Sequence, residues 1–160
     1  MKYPAKVVLL LIIMILASSI LAGMALGKVK LVKGQTLYLP IATNYMKDDV
    51  SFRVTAEVII HNTDPDHAIN LVKMDFYDTD GKLVKSYLQE PLKLNPASGR
   101  RFRVKDSVPD AAGAAAHFII QWQADNKVVA PLVSGLLLGS RGTRGYAITT
   151  APRIIRETAD

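Results

Sequence analysis

Along "FRVTAEVIIHN" apolar and polar side chains alternate. Val54, Ala56, Val58 and Ile60 fall on one face, and Arg53, Thr55, Glu57 and His61 on the other. Period two with one apolar face predicts a half-buried strand. "INLVKMDFYD" alternates too, but its phase slips: Ile69 and Leu71 share one parity, while Val72, Met74 and Phe76 share the other. A bulge near Leu71 would turn both sets inward. "DTDG" (Asp78 to Gly81) predicts a turn into the strand "KLVKSYL". Pro91 and Pro96 bracket Leu92 and Leu94, which predicts a short edge strand. "RRFRVKD" sends Phe102 and Val104 inward and Arg101, Arg103 and Lys105 outward. "AHFIIQWQA" places Phe118, Ile120 and Trp122 on one face, so Trp122 is expected in the core. "PLVSGLLLGS" is nearly all apolar and predicts a strand buried on both faces. "GYAITT" closes the series.

About eight short strands with turn chemistry between them predict an all-β chain, an immunoglobulin-like antiparallel β-sandwich. Helix is expected only in the N-terminal segment and as one turn in "DAAGAAA". The N-terminal segment differs from the rest. Lys2 and Lys6 precede an apolar run from Val7 to Leu26, and small residues follow in "GMA" and "ALG". That order is the order of a secretory signal. A run of about 20 residues also suffices to cross a bilayer if it is not cut. Cleaved signal and uncleaved anchor both remain open. Lys28, Lys30 and Lys33 put positive charge on the second flank too, which keeps a cytoplasmic domain as the minority topology. The expected organisation is residues 1–27 as signal peptide or membrane anchor, 28–34 as linker, 35–155 as the sandwich domain and 156–160 as a tail. The expected location is exported: periplasmic, or anchored in the inner membrane and facing the periplasm.

Composition narrows the function. The chain has no cysteine, which removes disulfides, thiolate catalysis, thiolate metal sites and a lipidated cysteine at Met24. The formal net charge is +6 over 160 residues, and Lys2 and Lys6 supply two of those charges. So mild an excess does not suit a nucleic-acid binder.

The densest polar chemistry is "HNTDPDHAI". His61, Asp64 and His67 are the candidate metal ligands there. Zinc usually needs three or four ligands in fixed geometry, and the third histidine, His117, belongs to a distant strand. The competing reading is a corner between strands, with Asn62 inward after Ile60 and bonding loop backbone. "DTDG" as a calcium loop lacks the glutamate at its twelfth position, which is Gln89. "GSRGTRG" (Gly139 to Gly145) as a phosphate cradle lacks a following helix. No residues are expected as catalytic or cofactor-binding, and no cofactor is expected. Arg101, Arg103 and Lys105, with Arg100 at the strand start, form a basic row with a spacing of about 7 Å. The row suits contact with anionic lipid or cell-wall polymer, or it is a charged edge that blocks aggregation.

"LYLPIAT" (Leu37 to Thr43), "HNTDPDHAI", "VKMDFYDTDGKLVKSYL", "PLKLNP", "HFIIQWQAD" and "PLVSGLLLG" together resemble an uncharacterised bacterial family of exported single-domain proteins with a domain of unknown function. The resemblance runs from Gln35 to Ala151 and implies no activity. Two function classes result. One is a non-enzymatic binding or accessory module of the envelope, with an envelope protein or surface as partner and membrane contact through the N-terminal segment if uncleaved. The other is a small metal-dependent or hydrolytic enzyme with its site on the loops.

Overall fold

The structure is a computed structural model that describes residues 29–158 except 43, 48, 49, 105–114 and 142. The N-terminal signal or anchor, Lys105 and most of the "DAAGAAA" turn lie outside the described residues. Those described form strands and no helix. In chain order they are β1 (Leu31–Pro40), β2 (Asn44–Lys47), β3 (Val50–Arg53), β4 (Thr55–His61), β5 (Ile69–Tyr77) and β6 (Leu83–Ser86). There follow β7 (Leu92–Leu94), β8 (Gly99–Val104), β9 (His117–Val129), β10 (Leu132–Arg141), β11 (Arg144–Thr150) and β12 (Arg153–Glu157).

Two antiparallel sheets carry the fold. One runs β12-β1-β9-β5-β6, with β7 sharing the outer side of β5; the other runs β11-β10-β4-β8. β2 and β3 make a separate hairpin. The inner faces share one core in which Val58 and Ile60 meet Met74, Phe76, Phe118, Ile120 and Trp122. Trp122 is fully buried, as its parity requires.

Several local expectations are met for the reasons given. The pairing of β5 with β9 shifts between Leu71 and Lys73. Ile69 and Leu71 before that bulge, and Met74 and Phe76 after it, are all buried, whereas Val72, expected inward with Met74 and Phe76, sits in the bulge and is only half-buried. β7 is a short edge strand. The "DTDG" turn closes on Asp78, whose Oδ1 accepts from the Asp80 and Lys82 amides, with Gly81 at φ 79°. Within "GSRGTRG", Ser140 and Arg141 of β10 pair with Gly145 and Arg144 of β11.

β10 differs from expectation. Its apolar run is buried on one face only. Val133 and Leu137 point into the core, whereas Leu132 is 59% exposed and Leu138 38%. Each sheet here has only one covered face, so an apolar run of mixed parity must leave half its side chains outside. Glycine alternates with those inner residues. A Cβ on Gly139 would overlap the Tyr146 ring. β1 starts at Leu31, inside the segment expected as linker, because Val32 docks beside Val128 in the core. β12 carries no periodicity, all five residues being exposed, and so leaves no mark in the hydrophobic pattern.

Candidate functional site

The corner after β4 is built from its backbone outward. Strand parity carries Asn62 inward, where it is 1% exposed. Its Nδ2 donates to the carbonyls of His67 (2.8 Å), Asn95 (3.0 Å) and Leu94 (3.3 Å). Its Oδ1 accepts from the Asp64 amide at 3.2 Å, and its own amide donates to Ser98 O. One side chain thereby ties β4 to the start of β5 and to the turn between β7 and β8.

Asp64 performs a second tie. Its Oδ1 accepts from the amides of Asp66 (3.0 Å) and His67 (2.9 Å) and lies 3.1 Å from His67 Nδ1. Its Oδ2 accepts from the Val129 amide at 3.0 Å, which ties the corner after β4 to β9 of the other sheet. The Val129 amide is the largest cause holding the Asp64 carboxyl down at about 2, below its ordinary 3.8; the Asp66 and His67 amides add to it and burial opposes it. Thr63 Oγ1 donates to Ala130 O beside that contact.

The three histidines do not converge. His67 leans on Asp64. His61 is exposed and lies over Gly99, where a Cβ would come within 2.6 Å of its Nδ1. His117 is at the opposite end of β9, stacked between the rings of Tyr38 (4.6 Å) and Tyr77 (5.4 Å). Among the described residues no group of three His, Asp or Glu side chains is placed to hold a metal ion.

Arg101 and Arg103 of the basic row face outward from an edge strand as their parity predicts, and a buried carboxylate lies beneath them. β8 is the edge strand of its sheet and pairs with β4, setting Arg103 opposite Glu57 and Arg101 opposite Ile59. Glu57 is 3% exposed. Arg103 Nη2 and Nε each lie 3.0 Å from its Oε1, and Arg101 Nη1 lies 3.7 Å from its Oε2. The two guanidinium groups cover a single carboxylate and remain mostly open to solvent. The cluster therefore carries one excess positive charge and outward-facing donors. Arg100 is exposed at the start of the strand, on the other parity. Glu57 stands on the polar parity of β4, but its burial beneath two arginines depends on the β4–β8 register, which one strand's pattern does not contain.

No curated protein matches the chain in sequence. A solved structure described as the crystal structure of Thermotoga maritima 1070 aligns with 79% of this chain and 97% of that chain, at 13% identity and a TM-score of 0.47. Residues 34–155 match the family model described as "Protein of unknown function (DUF3124)", and the chain belongs to that family.

Proposed function

We propose that this protein is a non-enzymatic accessory or binding module of the cell envelope, an immunoglobulin-like β-sandwich exported behind its N-terminal apolar run. The observation that carries the reading is the use made of the polar corner. Asn62 and Asp64 direct their side-chain oxygens and nitrogen at backbone partners, so the richest polar cluster braces strands instead of meeting a substrate. Support for export comes from Lys2 and Lys6 ahead of the run from Val7 to Leu26.

The binding surface in this reading is the outer side of β8. Glu57 holds Arg103 by a hydrogen bond and an ion pair at 3.0 Å, which reduces the ordering cost of that side chain in meeting an anionic partner, and Arg101 stands beside it. Guanidinium groups pair well with phosphate and carboxylate oxygens, so the partner class is anionic lipid or an anionic cell-wall polymer. A C-terminal alkaline phosphatase fusion tests export: activity in intact cells is expected, and an expressed but inactive fusion overturns it. Sedimentation with phosphatidylglycerol vesicles and with isolated cell wall tests the surface. Salt-sensitive binding lost in the Arg101→Ala, Arg103→Ala double variant is expected, and retention by that variant removes the arginines from the proposal.

A further inference from the structure

Three large apolar side chains are exposed together at the end of the two-sheet body where the chain enters it; the other exposed ones among the described residues are Leu83 near the far turn and Leu138, Ile148, Ile154 and Ile155 along the strands. Val29 is 67% exposed, Leu31 49% and Leu132 59%. Their proximity follows from register. Leu31 pairs with Val129 at the close of β9. Ala130 and Pro131 then turn the chain, and Leu132 pairs with His61 at the close of β4. Gly99 lies on the other side of His61, with exposed Arg100 beside it. Lys30, its side chain 72% exposed, is at the same end and is ion-paired with Glu157. The opposite end is marked by Pro40, which pairs with His117, and by the Asp78–Gly81 turn. Nine residue steps of β1 separate the two ends by about 30 Å.

The sequence before this end limits where it can go. The apolar run stops at Leu26. The five steps from there to Leu31 span at most about 18 Å even when extended. We infer that this end of the body rests on the headgroup layer of the bilayer that holds the apolar run, with Val29, Leu31 and Leu132 entering the lipid interface and Arg100 beside lipid phosphates. The inference rests on the proposed envelope reading, in its form with the run retained as an anchor. Interfacial binding combines buried apolar side chains with flanking basic groups, and this end supplies both. The rigid Asn62 and Asp64 corner lies at the same end, so the surface that meets lipid is fixed in shape. The far end, with the β5–β6 and β10–β11 turns, is thereby directed away from the membrane.

Absence of cysteine makes the test direct, since one introduced thiol is the sole labelling point. The full chain is reconstituted into vesicles of phosphatidylethanolamine and phosphatidylglycerol containing lipids with a quencher at the top of the acyl chain. A polarity-sensitive fluorophore is placed at Leu132→Cys, at Val29→Cys, or at Asp80→Cys in the far turn. Quenching and a blue-shifted emission at positions 132 and 29, severalfold greater than at position 80, are expected. Equal quenching at all three positions overturns the inference. If the chain floats with the vesicles but position 132 is not quenched, the inference fails while the anchor stands. Should the chain not float with the vesicles at all, the anchor reading fails and the inference with it.

Discussion

Replacing Asn62 with alanine removes a side chain that bonds four backbone groups, two in its own corner and two at the end of β7. Two bonds from Nδ2, at 2.8 and 3.0 Å, and one into Oδ1, at 3.2 Å, have ordinary geometry; the 3.3 Å approach to Leu94 O shares a donor. A net contribution of about 1 kcal/mol for each of the three gives a loss of about 3 kcal/mol. That is a large share of the roughly 5–15 kcal/mol typical of a folded domain. Trp122, the only tryptophan and fully buried, reports unfolding by its emission. Urea titration of the full chain in mild detergent therefore gives the midpoint and the slope for wild type and variant. A lower midpoint at unchanged slope is expected. Asn62→Asp sharpens the test, because it keeps the shape but turns an oxygen toward the three carbonyls. It should cost at least as much as alanine. An Asn62→Ala midpoint indistinguishable from wild type, or an aspartate variant milder than the alanine one, would refute the assignment of the corner to hydrogen bonding.

Trp122→Ala should cost about 3–5 kcal/mol by emptying the centre of the core, measured by circular dichroism because the fluorophore is gone; a stable, fully folded variant would place the tryptophan elsewhere. His61→Ala should change stability by less than about 0.5 kcal/mol, as an exposed strand residue, and a larger loss in the urea midpoint would show that its ring over Gly99 matters. Arg103→Ala should cost roughly 1.5–3 kcal/mol, since it strips a charge-assisted hydrogen bond and the closer ion pair from a buried carboxylate; a double-mutant cycle with Glu57→Gln should recover part of that loss, and additive single effects would contradict the pairing. Asp64 is held down at about 2 from 3.8, so its ionised form is favoured by folding. Its contribution should be complete above about pH 4 and disappear as pH falls toward about 2. Asp64→Asn should flatten that part of the urea-midpoint profile, and an unchanged acid limb would sink the linkage.

What the sequence displayed was what depends on one strand at a time. Parity alone placed Ile60, Asn62, Phe118, Ile120 and Trp122 on the inside, and the change of phase in β5 located its bulge. What remained hidden depends on a neighbour. The exposure of Leu132 and Leu138 follows from β10 belonging to a sheet with one covered face, and a continuous apolar run reads the same whether one face or two are covered. The burial of Glu57 follows from its position across from Arg103. The reach of Asp64 to the Val129 amide joins residues far apart in the chain. β12 has no inward face at all, so no periodicity marks it. The candidate site divides along the same line: Asn62 was legible because its task is local to the turn, while Asp64 read only as a turn residue or a metal ligand.

The corner also answers a mechanical need created by composition. A domain of this size without cysteine has no covalent cross-link between distant strands. In the fold, side chains of three consecutive residues supply comparable long-range ties: Asn62 to Leu94 and Asn95, Thr63 to Ala130, and Asp64 to Val129. A disulfide acts largely on the unfolded chain by closing a loop. These hydrogen bonds act on the folded state alone, so each can open singly and close again, and no reductant affects them. Their weakness is acid, because the tie to β9 needs an ionised Asp64. The same three residues lie at the end where the chain enters the body, beside Leu31 and Leu132. Any pull transmitted from the preceding segment reaches β1 first, and β1 is paired along its length with β9, the strand that Asp64 holds. The bracing therefore stands where load from the N-terminal side would arrive.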